Sequence, residues 1–195
     1  MLRRIIMAFG LLSVSSGCAP TLVLKEPVSM NQSVHRGAMK APGLRMADAT
    51  YTKIDTDVGA FIERAAWLPS SPTKPMAVLD INDHNEVSYI GRVVALSQEL
   101  PTVYKEIADL QPVFKGIFGV KASGNVINAQ YFDAGKRQCV GFRQFHKIHQ
   151  KVFPGEFGDS SVYGYYCLQE DQKMTPEIAK KILISITFSG ASTKN

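Results

Sequence analysis

One segment of the chain, residues 145–161, concentrates side chains that could do chemistry. It holds two histidines, two acidic residues, two serines and two lysines. Histidines together with carboxylates can bind a divalent metal ion, and a serine beside a histidine base can attack an acyl group. A loop of this length without strong secondary structure is often functional. The candidate metal ligands are His146, His149, Glu156 and Asp159, and the candidate nucleophile is Ser160.

The spacing of these residues argues against both kinds of site. The sequence has no HExxH pair, which would place two metal ligands on one helix face, and no GxSxG turn, which would expose a nucleophilic serine. Two histidines three positions apart also occur readily by chance. The sequence therefore favours a non-enzymatic protein without a metal or cofactor, and a hydrolase that works through residues 145–161 is the alternative.

The same region also has a pattern that suits binding. Lysines and arginines recur between residues 136 and 151 and alternate with Phe142, Phe145 and Phe153. Such mixtures occur on surfaces that meet anionic partners, although charged residues on a strand edge also prevent pairing with a neighbouring chain. The predicted binding surface consists of Arg143, His146, Lys147, His149 and Lys151.

The first seventeen residues have the layout of an export signal. Arg3 and Arg4 precede an apolar run from Ile5 to Leu12, and small residues follow. This run is too short to span a bilayer of about 30 Å, which needs about 20 apolar residues. The small residues end directly at Cys18. This arrangement resembles the lipobox of bacterial lipoproteins, in which the cysteine is acylated and becomes the first residue of the mature chain.

The resemblance rests on Ser16, Gly17 and Cys18, while Ser15 stands where the lipobox most often has leucine. It implies acyl chains on Cys18, and because each buried methylene contributes about 0.8 kcal/mol, two or three chains anchor a protein stably. In that family Ala19 implies the outer membrane. We therefore expect a lipid-anchored protein of a bacterial envelope, facing the periplasm, with an envelope protein or the cell wall as its partner.

Charge does not indicate a nucleic-acid partner. The formal net charge is +5, and it falls to +3 without Arg3 and Arg4 because residues 1–17 contain no acid. Such a small excess of basic residues is typical of an ordinary solvated surface. An exported domain also has little access to nucleic acid, so we predict that it binds none.

The other two cysteines, Cys139 and Cys167, are 28 positions apart, which excludes a CxxC redox motif and zinc-finger spacing. Export would place them where disulfides persist. A closed loop of about 29 residues would stabilise the fold by roughly 3 to 4 kcal/mol in the chain-entropy model. We predict a structural disulfide, with two buried free thiols as the alternative.

The most distinct structural pattern is a hairpin in the C-terminal half. Strands over 125–132 and 137–145 flank Asp133–Lys136, where glycine suits a left-handed turn position. A third strand follows over 162–168. Because side chains alternate along a strand, a disulfide between the second and third strands would fix their register and their common face. Cys139, Gly141 and Arg143 share one face of the second strand, and Cys167, Tyr163 and Tyr165 share one face of the third.

Helices are predicted at three places. Residues 101–116 have a helical pattern, with Pro101 tolerable in a first turn, and Pro112 breaks or kinks it. Residues 57–67 carry apolar residues at helical spacing and end at Trp67, and Thr175 with Pro176 is a typical helix start before a strand over 184–188. These elements predict an α+β fold, an antiparallel sheet with helices packed on one face and a C-terminal β-β-β-α-β unit. The predicted parts of the chain are a signal peptide over 1–17, a tether over 18–44 and a single globular α+β domain over 45–190.

Overall fold

An antiparallel sheet of eight strands forms the centre of the structure, a computed structural model that describes residues 25–55, 60–83, 95–122, 125–146 and 160–189. The described residues form these eight strands and two more that lie outside the sheet. In chain order they are β1 (Val28–Ser29), β2 (Gly37–Met39), β3 (Thr50–Asp55), β4 (Phe61–Trp67), β5 (Met76–Asp83), β6 (Val113–Ala122), β7 (Asn125–Ala134), β8 (Arg137–His146), β9 (Ser160–Cys167) and β10 (Ile186–Phe188). The helices are α1 (Leu96–Val103), α2 (Lys105–Ala108) and α3 (Pro176–Ile184).

The main sheet has the strand order β1-β3-β4-β5-β9-β8-β7-β6, and β2 pairs with β10 in a separate two-stranded ribbon. Each half of the sheet is built mostly from strands that follow one another along the chain, and antiparallel pairing of β5 with β9 joins the two halves. Consequently β5, β9 and β8 are central, and β1 and β6 are the edge strands.

Both faces of the central strands are covered. All eight residues of β9 are buried, which explains its nearly continuous apolar and aromatic sequence. The ribbon and α3 cover one face, where Ile182 and Leu183 are fully buried. The other face is covered by α1 and α2, which pack so closely that a Cβ atom at Gly141 would overlap Leu100.

The predicted α+β class with helices on one face is wrong. The described chain is mainly antiparallel sheet with three short helices, and these lie on both faces. Part of the error is the predicted helix over 57–67, of which residues 61–67 form β4. Ala65 and Trp67 point to one face, while Arg64 pairs with a buried carboxylate on the other. A strand covered on both faces lacks the simple alternation of apolar and polar residues.

The strands and the helix predicted in the C-terminal half occur in the predicted order, but they do not form the predicted β-β-β-α-β unit. β7 and β8 form a hairpin whose turn contains Gly135 at φ +59. Cys139 lies opposite Cys167 in the β8–β9 pairing, and the predicted disulfide between them is confirmed. The Thr175 side chain accepts a hydrogen bond from the Ile178 N–H at the start of α3. However, β10 pairs with β2 and lies outside the main sheet.

The described part of the predicted 18–44 tether packs on the domain. β1 pairs with β3, and Met39 in β2 is 1% exposed. The Tyr166 hydroxyl of the central strand β9 donates a hydrogen bond of 2.6 Å to the Pro42 carbonyl, and burial raises the pKa of this tyrosine to about 12. Cys18 and the rest of residues 1–24 lie outside the described residues. No helix in the described ranges is long and apolar enough to cross a membrane.

Candidate functional site

The chemically rich segment 145–161 is attached to what we term the loop end of the sheet, where β5 and β8 finish and β9 begins. His146 ends β8 and lies opposite Ser160, the first residue of β9. On the other side of Ser160, its partner in β5 is Asp83. The three side chains therefore form a row on one face of three adjacent strands. Lys147, His149, Lys151, Glu156 and Asp159 lie outside the described residues.

This row contains the residue types of a serine hydrolase but not its proton-transfer geometry. A nucleophilic serine needs its hydroxyl proton directed at a histidine base. Ser160 is 1% exposed, and its hydroxyl donates instead to the backbone carbonyl of Asn82 at 2.9 Å. Asp83 accepts from the Arg36 guanidinium at 2.7 Å. The described arrangement thus gives Ser160 a structural hydrogen bond and does not present it to a substrate.

The two described members of the predicted binding surface face opposite sides of β8. The Arg143 side chain, 8% exposed, forms an ion pair with Glu99 of α1 and lies over the Tyr163 ring at 5.2 Å. His146 points to the other face, where its ring centroid lies 4.8 Å from that of Phe188. Burial lowers the pKa of His146. The strand therefore does not bring these two residues together on one surface.

A buried polar group, the Asp80 cluster, lies beneath α1 and α2 and consists of Arg64, Asp80 and Tyr104. Arg64 binds the Asp80 carboxylate through two hydrogen bonds of 2.8 and 2.7 Å, and the Tyr104 hydroxyl donates to the same carboxylate at 3.0 Å. Burial and the Asp80 charge raise the pKa of Tyr104 well above its ordinary value, so the phenol stays protonated and remains a donor. Asp80 is 1% exposed, and its carboxylate accepts all of these hydrogen bonds from protein groups.

No sequence motif predicted this cluster. Its only signal is the position of Asp80 inside the apolar run of β5, because a charge flanked by buried residues requires a partner. The partners Arg64 and Tyr104 belong to other elements, and their residue types alone do not mark them as partners of Asp80. Since its hydrogen bonds are saturated and helices cover it, we assign the Asp80 cluster to structure.

An open surface lies along the edge strand β6, on the face of the sheet that α3 covers. The β6 groove, about 350 Å³, is lined by Phe118, Gly119, Val120, Lys121, Tyr131, Pro176 and Lys180. The Phe118 and Tyr131 rings stack with centroids 4.4 Å apart and an interplanar angle of 19°. They come from neighbouring strands, where diagonal cross-strand contacts between aromatic side chains are within reach. The last two lining residues belong to α3, which forms the opposite wall.

The irregular pairing of β6 shapes this groove. A β-bulge between Phe114 and Ile117 shifts the register with β7, and the Gln130 side chain donates to the carbonyl of Lys115 within it at 3.0 Å. Beyond the bulge, residues 117–122 pair regularly with β7. No strand was predicted over 113–122, because the helical pattern over 101–116, broken or kinked at Pro112, overlaps its start and its two glycines weaken a strand pattern.

No group of three or more histidine, cysteine or acidic side chains in the described residues is placed to hold a metal ion. Comparison of the chain with models of protein families, with curated proteins and with solved structures gives no match. Function is therefore inferred from the sequence and from the geometry of the described residues.

Proposed function

We propose that this chain is a lipid-anchored protein of a bacterial envelope whose folded domain binds another envelope component and catalyses no reaction. The distribution of its three cysteines is the observation that carries the proposal. Cys139 and Cys167 are bonded to each other, so Cys18 is the one cysteine of the sequence outside that bond. That cysteine stands directly after a short apolar run and small residues, where a lipoprotein cysteine is acylated.

The disulfide supports export. Disulfides persist in the periplasm and other oxidising compartments and are rare where thiols are kept reduced. Both cysteines are buried in central strands, at 1% and 0% exposure, so their bond is part of the sheet. An exported chain with an acylated Cys18 would be held at a membrane surface by its lipid, since two or three acyl chains give stable anchoring.

A binding role is favoured over hydrolysis by the contrast between the loop end and the β6 groove. At the loop end the Ser160 hydroxyl is directed to a backbone carbonyl, and Arg143 is paired with Glu99. The β6 groove instead offers stacked aromatic rings beside Lys180 of α3. Apolar surface with a few polar groups at its rim is typical of a ligand-binding cleft.

The proposal is tested by the intact mass of the full chain extracted from the membranes of a bacterial host, measured before and after reduction. We expect a mass equal to residues 18–195 plus acyl chains, and a gain of about two hydrogen masses on reduction. A Cys18→Ser variant should lose the acyl mass and leave the membrane fraction. An unmodified Cys18 in the wild-type chain, or a retained segment 1–17, would contradict the anchored state.

A further inference from the structure

The two edges of the main sheet differ in how they are protected. β1 has only two residues, a length that offers little backbone for pairing, whereas β6 has ten. The outer side of β6 faces no other strand of the described structure. Its N–H and C=O groups on that side are available to an extended chain, which is how strand addition at a sheet edge begins.

The side chains of β6 leave this backbone accessible. Apart from its own chain neighbours, no described residue has an atom within 4 Å of the position that a Cβ would take on Gly116, and Gly119 also has no side chain. Ile117, between them, is 73% exposed. Because the bulge ends at Ile117, the regular part of the edge runs over residues 117–122. Six residues in register are enough for one strand of ordinary length.

Charge determines which strand would fit. Lys115 forms an ion pair of 2.5 Å with Asp133, so its charge is neutralised within the domain. Lys121 and Lys180 form no ion pair with a described residue, and β6 contains no acidic residue. A second copy of β6 would therefore add further lysines and no carboxylate, so its charges would not complement this edge. An added strand with acidic side chains would supply the missing partners.

Both faces of the edge offer an apolar surface together with a lysine. Side chains of an added strand alternate between the two faces. On the α3 side they would meet the Phe118 and Tyr131 rings and Lys180, which line the β6 groove. On the opposite side they would meet Ile117 and Lys121, which by strand alternation share the other face. The complementary strand thus mixes apolar and acidic residues on each of its faces.

We propose that the edge over residues 117–122 binds an extended acidic segment of another envelope protein, which adds to the sheet as a strand beside β6. This inference rests on the proposed function and names the class of partner. Backbone hydrogen bonds supply the pairing, the aromatic stack receives an apolar side chain, and Lys121 and Lys180 select carboxylates.

The test begins with selection of random twelve-residue displayed peptides on the immobilised full chain. We expect enriched peptides that are acidic, with apolar residues at alternate positions. The Lys121→Glu/Lys180→Glu variant should bind a selected peptide at least about tenfold more weakly, since tenfold corresponds to about 1.4 kcal/mol. Lys74→Glu changes an exposed lysine in the turn before β5 and should alter binding less than about twofold.

Backbone methylation of the best peptide then separates strand addition from charge attraction alone. In an edge strand only every second N–H points toward its neighbour. Methylating one alternate set of amides should abolish binding, whereas methylating the other set should leave most of it. Equal effects of the two sets, enrichment of basic peptides, or no enrichment at all would overturn the proposal. None of these outcomes depends on lipid, so failure here is distinguishable from failure of the anchor in the mass measurement.

Discussion

The Asp80 cluster and the β6 groove are built from similar residue types but differ in what covers them. Each combines stacked aromatic rings with cationic side chains on adjacent strands or helices. Tyr104 stacks on Tyr163 at 5.5 Å in the first region, and Phe118 stacks on Tyr131 at 4.4 Å in the second. The first lies beneath α1 and α2, while the second opens to the surface beside α3.

The two regions differ in whether their charged groups already have partners within the domain. This property, more than residue type, distinguishes a structural cluster from a binding surface. In the Asp80 cluster the guanidinium of Arg64 already has its carboxylate, so a ligand would have to break an existing pair. In the β6 groove Lys180 forms no ion pair with a described residue, so a partner's carboxylate can approach it without breaking an existing pair. We expect changes in the first region to affect folding and changes in the second to affect binding.

The largest effect is expected from Asp80→Ala, which leaves the Arg64 charge and the Tyr104 hydroxyl without their acceptor. Breaking one side of a buried ion pair costs about 3 to 5 kcal/mol in free energy of unfolding. Denaturant unfolding followed by circular dichroism measures it. The matched control is Asp133→Ala, which removes the half-exposed partner of Lys115 and should cost about 0 to 1 kcal/mol. Equal losses for the two variants would remove the distinction between the regions.

Removal of the disulfide should have the next largest effect. The Cys139→Ala/Cys167→Ala double variant opens the link between β8 and β9 and should lower the free energy of unfolding by about 2 to 4 kcal/mol. Binding of a selected peptide at the β6 groove should stay within about twofold of wild type, because β6 lies two strands away from β8. A variant that folds with unchanged stability would show that packing alone holds this pair of strands.

A smaller effect is expected from Tyr104→Phe, which removes one donor to Asp80 while keeping the ring. A hydrogen bond to a charged group is worth about 1.5 to 3 kcal/mol, so thermal and denaturant unfolding should show a loss in that range. Tyr131→Phe is the matched change in the β6 groove. Its hydroxyl makes no hydrogen bond to the described residues, and the change should stay within about 0.5 kcal/mol. A reversed order would contradict the assigned roles.

Local patterns explain which parts of the fold could be predicted from sequence. The β7–β8 hairpin, the facing cysteines and the start of α3 depend on neighbours within a few residues or on strand alternation. The prediction of β4 as a helix failed because its environment is non-local. Glu63 is buried against Arg36, a residue from the segment predicted as a tether, and no short-range pattern pairs positions that far apart.

The candidate sites, like the fold, could be predicted only where the sequence pattern alone defines them. Cysteine pairing was predictable because only two cysteines remained after Cys18 was assigned to the lipid anchor. The β6 groove was not predictable, because strand order decides that β6 is an edge, and strand order depends on the long-range pairing of β5 with β9. Likewise, Arg143 was predicted as part of a basic binding surface, but the sequence does not show that α1 would place Glu99 beside it.

The smallest effect is expected from a change at His146. Its side chain is neither held in an ion pair like that of Asp80 nor open to solvent like the β6 groove. Burial lowers its pKa below the ordinary value of 6.5, so the unfolded chain takes up a proton at higher pH than the folded domain does. The free energy of unfolding should therefore fall as pH decreases below about 6.5, until the folded histidine also becomes protonated. His146→Gln should remove this part of the slope when denaturant unfolding is measured between pH 7.5 and pH 5 (about the range in which histidine titrates). If the two proteins have the same slope over that range, the ring is solvated in the folded domain, and the loop end would then resemble the open groove more than the buried cluster.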